Sequence, residues 1–375
     1  MKIAVFHNVP LGGAKRTVYE QIKYLSFKHE LHLYIISGSK EAFFNINKYV
    51  ASTKVFDFDI SSNMPGFLRR LHSDFKNFIT LKNIHKQIAK DIDNNNFDAI
   101  LVHPDRFTQA PYLLKYVKTP SVYFCQELLR IAYEEELALA ENVIFIKKFY
   151  EKTTRLLRKY VDRTNAQKAD KIIVGSRYIQ RKVSIIYKRK AIVCPLGVDV
   201  NIFKKSNKIK NKNIILFIGA KGFVSGYNFA NSWYDSLPDI LRSRYIFEAI
   251  DFTDNKSHFM SDKQLAAKYN QSFITICASY NEPFGLVPLE SMACGTPVLA
   301  VSQGGYKETI INGETGYLLP RKINTFTKYF IKLVNNKKFY QDMGQASVIY
   351  IKKNWSWRLH GRQLNTLLLN LCKTK

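Results

Sequence analysis

Residues 1–37 read MKIAVFHNVPLGGAKRTVYEQIKYLSFKHELHLYIIS. The pattern of apolar residues in this stretch indicates the architecture of the chain. Ile3–His7 is a short apolar run typical of a buried parallel strand, and Gly12-Gly13 then break the chain. Apolar side chains recur at helical spacing across Lys15–Leu25, and Leu31–Ser37 is apolar again. The pattern indicates a strand–helix–strand unit, which implies a parallel sheet with a right-handed crossover.

The same alternation of strand and helix continues along the chain. In the first half it predicts strands at Val55–Ile60, Ala99–Val102, Ser121–Phe124 and Lys171–Val174, and helices at Phe67–Lys90 and Ile144–Val161. A second cycle predicts strands at Ile214–Gly219, Arg244–Ile250, Phe273–Cys277 and Pro297–Val301. The two cycles indicate an α/β protein of two doubly wound, Rossmann-like parallel-sheet domains. Turn residues in Cys194–Asp199 and the polar stretch Lys204–Lys212 mark the boundary between them.

The composition limits the class of protein and of partner. The chain has 375 residues, of which 46% are hydrophobic, enough for two ordinary packed cores. This excludes a disordered or collagen-like protein. Lysine and arginine number 57 against 30 aspartate and glutamate residues, so the formal net charge is +27. The excess indicates an anionic partner: a nucleic acid, an anionic membrane or a phosphorylated substrate.

Cysteine spacing and hydropathy indicate the compartment. The five cysteines are widely spaced and form no Cys-x-x-Cys pair. A disulfide framework and a thiolate zinc site are therefore not expected, and a reducing compartment fits. No apolar run reaches the roughly 18 residues that span a bilayer, and the N-terminus has no signal-peptide pattern. We expect a cytoplasmic protein, with any membrane contact peripheral, on the inner face of the cell membrane.

Two carboxylates stand eight positions apart in SYNEPFGLVPLESMACGTPV, residues 279–298. Glu282 precedes a loop that contains Pro283 and Gly285, and Glu290 falls where a helix is expected to begin. Gly285 allows close approach of the backbone to a ligand, and the amide groups of the following turn favour an anion such as a diphosphate. A carboxylate accepts two hydrogen bonds from a vicinal diol, so Glu290 suits a ribose and Glu282 suits sugar hydroxyls.

A second glycine turn, Gly304-Gly305, follows a predicted strand and offers further backbone amide groups to a phosphate. With these motifs, the chain resembles the GT-B glycosyltransferases of the large retaining family 4, the glycosyl transferases group 1. The resemblance rests on the E-x7-E signature of Glu282 and Glu290 with its flanks, and it is densest from 262 to 320. Further matching segments are Gly12–Arg16, Asp162-Arg163, Ala169-Asp170, Ser176, Pro195–Asp199 and Phe203.

The resemblance implies a GT-B fold, in which two Rossmann-like domains face a cleft. It implies an acceptor-side domain at 1–193, a nucleotide-sugar-binding domain at 194–355, and a C-terminal helix, 356–375, that crosses back to the first domain. The implied reaction moves a hexose, with retention and without a metal, from a nucleoside-diphosphate sugar to a glycan, a lipid-linked acceptor or a cell-envelope polysaccharide. The sugar nucleotide is a co-substrate, and no cofactor is implied.

The chain departs from the family pattern at three positions. Many members carry an arginine and a lysine after the first strand of the second domain, where they neutralise the donor diphosphate; this chain has Ala220 and Ser225. A histidine usually follows the strand predicted at Ser121–Phe124, and Gln126 takes that position, where it can hydrogen-bond a sugar hydroxyl but cannot titrate. We expect Lys221, Lys15 and Arg16 to share the missing cationic role.

These observations predict Glu282 and Gln126 as catalytic residues and no metal site. The donor-binding set comprises Glu290, Phe284, Gly285, Leu286, Lys221, Gly219, Gly12, Gly13, Arg16 and Gly304. Asp57-Phe58-Asp59 and Asp91-Ile92-Asp93 match the D-x-D of metal-dependent transferases, but neither lies near the two glutamates in sequence, and solvated acids at strand ends are the preferred interpretation. His7 and His103 close predicted strands and are interpreted as structural.

Two questions stay open on the sequence alone. The basic helix at Phe67–Lys90 fits either core packing with a solvated charged face or docking on an anionic membrane surface. The loss of both family cations allows a second function, a degenerate transferase-fold subunit that binds a partner or tethers to a membrane with little or no catalysis. A nucleic-acid partner is not expected, because the charge is spread along the chain and no nucleic-acid-binding motif is present.

Overall fold

The computed structural model describes residues 1–37, 44–61, 63–134, 137, 145–206, 212–251 and 260–373. The chain divides into two compact units. The first comprises Met1–Cys194 together with Gly361–Lys375, and the second comprises Pro195–His360. These boundaries lie one and five residues beyond the positions 193 and 355 expected from the sequence, and the C-terminal segment is part of the first unit.

The first unit is built on a parallel sheet of seven strands. These strands are β1 (Lys2–Asn8), β2 (Glu30–Ile36), β3 (Ser52–Phe56), β4 (Ala99–Asp105), β5 (Ser121–Cys125), β6 (Lys171–Val174) and β7 (Ala191–Val193). Their order is β3-β2-β1-β4-β5-β6-β7, with Ile3 opposite Leu31 on one side and Ala99 on the other. The order reverses between β1 and β4, where ligands of doubly wound sheets bind beyond the carboxyl ends of the strands.

The helices of the first unit connect these strands. They are α1 (Gly13–Leu25), α2 (Gly66–Phe75), α3 (Leu81–Asn94), α4 (Leu113–Tyr116), α5 (Arg130–Tyr133), α6 (Phe145–Ala166) and α7 (Arg177–Ile186), with a 3₁₀ turn at Ile46–Tyr49. Val18, Ile22 and Leu25 of α1 are fully buried, as their helical spacing predicts. A π-helical turn, Lys76–Thr80, joins α2 to α3, so the helix expected at Phe67–Lys90 extends from 66 to 94.

The sequence placed one strand of this sheet wrongly. A strand was expected at Val55–Ile60, whereas β3 ends at Phe56. β3 lies at the edge of the sheet and buries none of its side chains fully, so no run of apolar residues marks its position. The helix expected from Ile144 is α6; Ile144 lies outside the described residues, and α6 continues past Val161 to Ala166.

The second unit contains a parallel sheet of five strands. These are β8 (Ile214–Ile218), β9 (Ile246–Ile250), β10 (Ser272–Cys277), β11 (Val298–Val301) and β12 (Gly316–Leu319), in the order β12-β11-β10-β8-β9. Its helices are α8 (Tyr227–Asp235), α9 (Asp239–Arg244), α10 (Asp262–Gln271), α11 (Leu286–Ala293), α12 (Tyr306–Thr309), α13 (Ile323–Asn335) and α14 (Lys337–Asn354). Arg244, expected to begin a strand, instead ends α9. Of the polar stretch Lys204–Lys212, residues 207–211 lie outside the described part of the chain.

The final helix, α15 (Trp357–Lys373), begins in the second unit and continues into the first. Within the first unit, Leu364 and Leu368 are fully buried. The ring of His29 hydrogen-bonds Asn365 at 2.6 Å. A Cβ atom at Gly361 would lie 2.2 Å from the Tyr24 ring, so the small residue allows the helix to pack closely there. Across the ranges given above, no helix is both long and apolar enough to cross a bilayer.

Candidate functional site

The predicted signature residues lie at the point where the second sheet reverses its strand order. β8 and β10 are neighbours in the sheet but not in sequence, which makes the space beyond their carboxyl ends the expected ligand position. The loop 219–226 follows β8, and the loop 278–285 follows β10. Backbone hydrogen bonds join the two loops, since the Tyr280 amide donates to the Val224 carbonyl at 2.9 Å.

The backbone around Glu282 is held in an unusual conformation. Asn281 has a φ of 50°, and Gly285 has a φ of 104°. Left-handed conformations of this kind are costly for a residue with a side chain, and they persist where the surrounding structure fixes them. The amide of Gly305 donates to the Glu282 carbonyl at 2.8 Å. The result is a loop that presents the half-buried Glu282 carboxylate from a defined backbone position.

The Gly304-Gly305 turn supports this loop from the next strand end. A Cβ atom at Gly304 would lie 2.3 Å from the Glu282 carbonyl oxygen, and one at Gly305 would lie 2.5 Å from the Cα of Phe284. Both glycines are therefore required by the close approach of two backbones. The Gly305 amide is engaged by Glu282, so it does not serve as a phosphate donor as the sequence suggested; for Gly304 that role stays a prediction.

Glu290 was expected where a helix begins, but it is the fifth residue of α11. The helix begins earlier because Gly285 is its N-cap residue, and Leu286 is therefore the first helical residue. The Glu290 side chain is buried, and the Tyr269 hydroxyl donates to its Oε2 at 2.9 Å. Tyr269 thus fixes the orientation of this carboxylate.

Phe284, Gly285 and Leu286 connect the two glutamates. Phe284 is buried, with its ring centroid 5.6 Å from that of Trp355. Because the N-cap residue Gly285 has no side chain, no side chain at that position caps the amide groups of the first turn of α11. Burial, and secondly the negative charge of Glu282, raise the pKa of the Tyr306 hydroxyl, which indicates that the Glu282 carboxylate lies near this ring.

The loop after β8 carries no cationic side chain at the two family positions. The Ser225 hydroxyl donates to the carbonyl groups of Ala220 and Gly222, and so it closes the turn. Lys221 has an exposed side chain, and its backbone amide donates to Asp251 at 2.8 Å. Gly219 donates its amide to the Ile250 carbonyl at 3.0 Å. Of the predicted cations, Lys221 is the one that the structure places on this loop.

A second cation, Arg321, was not predicted from the sequence. Its guanidinium lies 3.6 Å from the centre of the Tyr280 ring, and Tyr280 stacks on Phe223 at 4.4 Å. Arg321 also donates to the Ala278 carbonyl at 2.7 Å and to Gln303 at 3.2 Å. It therefore ties together the loops that follow β8, β10 and β11. No motif marks it in the sequence, where it follows a strand that the apolar pattern did not identify.

In the first unit, the predicted residues gather at the carboxyl ends of β1 and β5. Gly12 has a φ of 131° and is the N-cap residue of α1, with nothing within 4 Å of where its Cβ would lie. The Gln126 side chain, just after β5, donates to the Ala14 carbonyl at 3.2 Å. Arg16 is half-buried beside the Phe44 ring, at 5.9 Å. Lys15 is fully buried, so it is not the exposed phosphate-binding cation that the sequence suggested.

Asp162, part of the family match, is a buried structural carboxylate. It accepts hydrogen bonds from the Ala110 amide at 3.0 Å and the Tyr187 hydroxyl at 2.8 Å. Burial raises the pKa of Asp162 to about 7, and these hydrogen bonds oppose the shift. The residue holds α6 against the loop after β4 and is not part of the predicted ligand site.

Three of the four D-x-D acids accept hydrogen bonds within the first unit. Asp91 accepts hydrogen bonds from Tyr34 and Lys54 at 2.8 Å, and Asp93 accepts from the backbone amide of Thr119 at 2.9 Å. Asp59 accepts from the Ser61 amide at 2.7 Å. Within the described ranges, no group of three or more histidine, cysteine, aspartate or glutamate side chains could hold a metal ion. His7 and His103 are fully buried at the ends of β1 and β4.

A small pocket with room for about one water molecule lies in the first unit, between the π-helical turn, the loop after β4 and α6. Asn77, Thr108 and Arg158 contribute polar groups to its lining. The side-chain oxygens of Asn77 and Thr108 are buried without a hydrogen-bond partner. Two unsatisfied oxygens in a cavity are suited to water or to a hydroxyl group of a ligand.

Residues 255–348 match the family model described as glycosyl transferases group 1. The second unit therefore carries a glycosyl transferases group 1 segment. This segment contains both glutamates and the Gly304-Gly305 turn that supports Glu282. The resemblance based on the E-x7-E signature is confirmed here.

Two curated relatives are similar to the chain over part of their length. An uncharacterized glycosyltransferase of Methanocaldococcus jannaschii is 28% identical over 204 residues, which cover 50% of this chain and 56% of that protein. An alpha-1,3/1,6-mannosyltransferase of Dictyostelium discoideum is 29% identical over 167 residues, which cover 43% of this chain and 38% of that protein. The chain thus spans about half the length of these relatives, or less.

A solved structure extends the similarity to the whole chain at the level of fold. The structure of Anabaena HepE in complex with UDP-glucose has a TM-score of 0.71 and a sequence identity of 15%, covering 99% of this chain and 100% of that chain. An identity this low shows the fold alone. The predicted fold class, GT-B with two Rossmann-like parallel-sheet domains, is confirmed.

Proposed function

We propose that the protein is a retaining, metal-independent glycosyltransferase that moves a hexose from a nucleoside-diphosphate sugar to a glycan, a lipid-linked acceptor or a cell-envelope polysaccharide. The observation that carries the proposal is the fixed loop around Glu282. This loop lies where the second sheet reverses its strand order, and the Gly305 amide holds the Glu282 carbonyl. A carboxylate held this way is suited to accept hydrogen bonds from the hydroxyl groups of a donor sugar.

The neighbouring groups suit the rest of the donor. Glu290, oriented by Tyr269, is suited to the ribose hydroxyls. The backbone of Phe284–Leu286, at the start of α11, directs amide groups and the positive end of a helix dipole toward an anion. We assign the diphosphate to this position. For the first unit, we propose Gly12 and Gly13 as donor-binding residues and Gln126 as a catalytic residue.

The proposed reaction is a substitution at the anomeric carbon. The acceptor oxygen forms a bond to that carbon as the bond to the diphosphate oxygen breaks, and the departing diphosphate takes the electron pair. The acceptor hydroxyl gives its proton to the leaving phosphate oxygen. Retention requires the acceptor to approach from the face that the diphosphate leaves. Amide groups and cations at the diphosphate favour this step, because they stabilise the charge that develops there.

The direct test measures transfer and donor hydrolysis by the purified protein with UDP-, GDP- and ADP-sugars. The UDP-glucose complex of HepE supports including UDP-sugars, and the mannosyltransferase relative supports including mannose donors. We expect turnover with at least one donor, and we expect Glu282→Ala to abolish it. Failure of every donor to bind would contradict the proposal.

Lys221 is the cation proposed to replace the family pair, together with Arg16. Its side chain is exposed on the loop after β8, whereas Lys15 is buried. We expect Lys221→Ala to raise the KM for the donor and to lower turnover, since one charge at a developing oxyanion is worth about 3 kcal/mol in a water-poor site. Lys263→Ala, which removes a lysine from the outer surface of α10, is the matched control. Unchanged donor affinity in Lys221→Ala would exclude this role.

A degenerate subunit with little or no catalysis is the alternative function. It is supported by Ser225, whose hydroxyl is engaged by carbonyl groups of its own loop where many relatives carry a lysine. Measurable turnover that Glu282→Ala removes would eliminate this alternative. Under the main proposal we place the protein in the cytoplasm, at the inner face of the cell membrane when its acceptor is lipid-linked.

A further inference from the structure

We propose that one face of the first unit docks on an anionic phospholipid bilayer. This face, called here the basic apolar face, consists of two stripes of exposed apolar side chains with the lysines and arginines around them. The first stripe lies on α2 and the π-helical turn, and the second lies on α6. The idea that the protein meets a lipid-linked acceptor at this face rests on the proposed function. Binding of the face to lipid can be measured independently of that function.

The first stripe consists of Leu68, Leu71, Phe75 and Ile79. Their spacing of three or four residues places them on one side of the helix. Phe75 is 61% exposed and Leu68 is 55% exposed. The sequence left two interpretations of this helix, and the exposure excludes core packing for these four side chains.

The second stripe consists of Ile146, Phe149, Leu156 and Tyr160 on α6. These side chains also follow helical spacing, and each is more than half exposed. The opposite side of α6 faces the interior, where Glu151, Thr154 and Asp162 are buried. α6 therefore buries polar side chains on its inner side and carries an apolar stripe on its solvent side.

Contacts between the two helices place both stripes on the same side. Phe67 contacts Tyr150, and seven residues later Asp74 pairs with Arg158, so the two helices run in the same direction. At 100° per residue, the stripe on α2 lies about 100° from the contact line and the stripe on α6 about 140° from it, in opposite senses on the two helices. For parallel neighbours, this rotation directs both stripes to one surface.

Within the two helical segments that carry the stripes, the charge at the surface has a single sign, although one exposed carboxylate, Asp59, lies outside them near Lys76 and His72. Residues 66–90 contain six lysines and arginines, and residues 145–166 contain seven. The acidic residues of these two segments are Asp74, Glu151 and Asp162, and all three are buried. Asp74 and Glu151 are, in addition, paired with Arg158 and Arg70. The surface of both segments therefore presents cations without exposed carboxylates.

This combination fits an anionic bilayer better than other occupants. Apolar side chains enter the boundary between headgroups and acyl chains, while surrounding lysines contact anionic headgroups. A second copy of the chain would bring two cationic surfaces together. A nucleic acid would satisfy the cations but would leave Leu68, Phe149 and Leu156 in water.

Flotation of the full-length protein with vesicles tests the proposal. We expect it to float with vesicles of phosphatidylcholine mixed with phosphatidylglycerol, and at least tenfold less with phosphatidylcholine alone. Rising salt should weaken binding, because exposed charges are screened. The double variant Phe75→Ser/Phe149→Ser should lower the partition coefficient about tenfold, since two aromatic side chains lose their contact with lipid.

Matched controls distinguish lipid binding by the basic apolar face from nonspecific hydrophobic binding. Phe27→Ser removes an aromatic side chain of the same unit that is 78% exposed but lies outside the face, and it should bind like the wild type. Lys148→Glu/Lys152→Glu should lose the preference for anionic vesicles, whereas Lys352→Glu/Lys353→Glu, on α14, should keep it. All variants should keep the wild-type rate of donor hydrolysis.

Three results would overturn the proposal: equal binding to neutral vesicles, wild-type binding by both face variants, or binding to duplex DNA in place of vesicles. The outcome is independent of transfer activity. Vesicle binding without turnover would contradict the proposed function and leave the face intact, and turnover without vesicle binding would do the reverse.

Discussion

Gly304 packs directly against the backbone of the proposed catalytic residue Glu282. Its φ is 56°, and a Cβ atom there would lie 2.3 Å from the Glu282 carbonyl oxygen. We expect Gly304→Ala to displace the Glu282 loop and to reduce the rate of transfer by at least about tenfold. A displacement of a reacting group by about 1 Å commonly lowers the rate by this factor or more. Steady-state kinetics with the preferred donor measures the effect.

Gly313→Ala is the matched control for this substitution. Gly313 also has a left-handed φ, 84°, but nothing lies within 4 Å of where its Cβ would be. Gly313→Ala should lose about 1 kcal/mol of stability from backbone strain, Gly304→Ala should lose more because its Cβ also meets the Glu282 backbone, and only Gly304→Ala should lose activity. Equal activity of the two variants would show that the glycine turn does not position Glu282.

Asp162 gives a pH dependence of stability whose sign differs from that of most acids. Burial raises its pKa from 3.8 to about 7 in the folded protein, so the folded state holds a proton that the unfolded state releases between these values. Its contribution to stability is therefore complete below about pH 4 and is lost as the pH rises to about 7. The slope is at most about 1.4 kcal/mol per pH unit.

Asp162→Asn tests this assignment through chemical denaturation at pH 5 and pH 7.5. The variant keeps the shape of the side chain but cannot ionise. We expect the free energy of unfolding of Asp162→Asn, relative to that of the wild type, to be higher at pH 7.5 than at pH 5. A difference that stays constant with pH would mean that Asp162 is already ionised in the folded protein at pH 5.

At this scale, the sequence predicts residue types better than their exact roles. Glu282 and Glu290 were identified because a strand, a glycine and a helix follow one another in a short segment. The sequence did not show that Gly305 uses its amide on Glu282, or that Lys15 is buried. Both facts depend on which backbone packs beneath which loop, and nearby residues do not encode that.

Among the secondary-structure elements, Arg321 joins three strand ends at once. It contacts Tyr280, the Ala278 carbonyl and Gln303, which belong to the loops after β10 and β11, and Tyr280 in turn stacks on Phe223. We expect Arg321→Ala to lower the free energy of unfolding by about 2 kcal/mol, since it removes charged hydrogen bonds and a cation–π contact. Donor affinity should fall with it, because the loops carry the proposed site.

Arg242→Ala provides the comparison for that variant. Arg242 pairs with Asp239 on the surface of the same unit, and exposed pairs contribute little, about 0.5 kcal/mol. Arg321→Lys should recover part of the stability but less of the donor affinity, because lysine keeps the charge without the planar stack. Wild-type donor affinity in Arg321→Ala would remove it from the site.

The elements that the sequence predicted well are those buried on both faces. β1, β8, β10 and β11 are short apolar runs, and the structure places them centrally in their sheets. The edge strand β3 was misplaced because its side chains are largely exposed. The π-helical turn could not be predicted from the spacing of apolar residues, because its one extra residue shifts the helical pattern by less than a turn.

For the whole molecule, the last helix is an integral part of the first unit. Leu368 of α15 is fully buried there, whereas its neighbour Leu369 is 37% exposed. We expect Leu368→Ala to destabilise the first unit by about 2–5 kcal/mol and Leu369→Ala by less than about 1 kcal/mol. Limited proteolysis, read as cleavage within 1–194, distinguishes them. Equal protection of the two variants would contradict this packing.

The membership of α15 also constrains how the chain matures on the ribosome. Residues 361–375 are synthesised after all of 195–360, yet they belong to the unit that contains Met1–Cys194. The later-made unit is contiguous and has every one of its strands and helices as soon as it emerges, while the earlier one must wait for its closing helix. Chains that end at residue 360 and have left the ribosome should therefore expose the Tyr24 and His29 surface to chaperones, although residues 195–360 can fold without the missing segment.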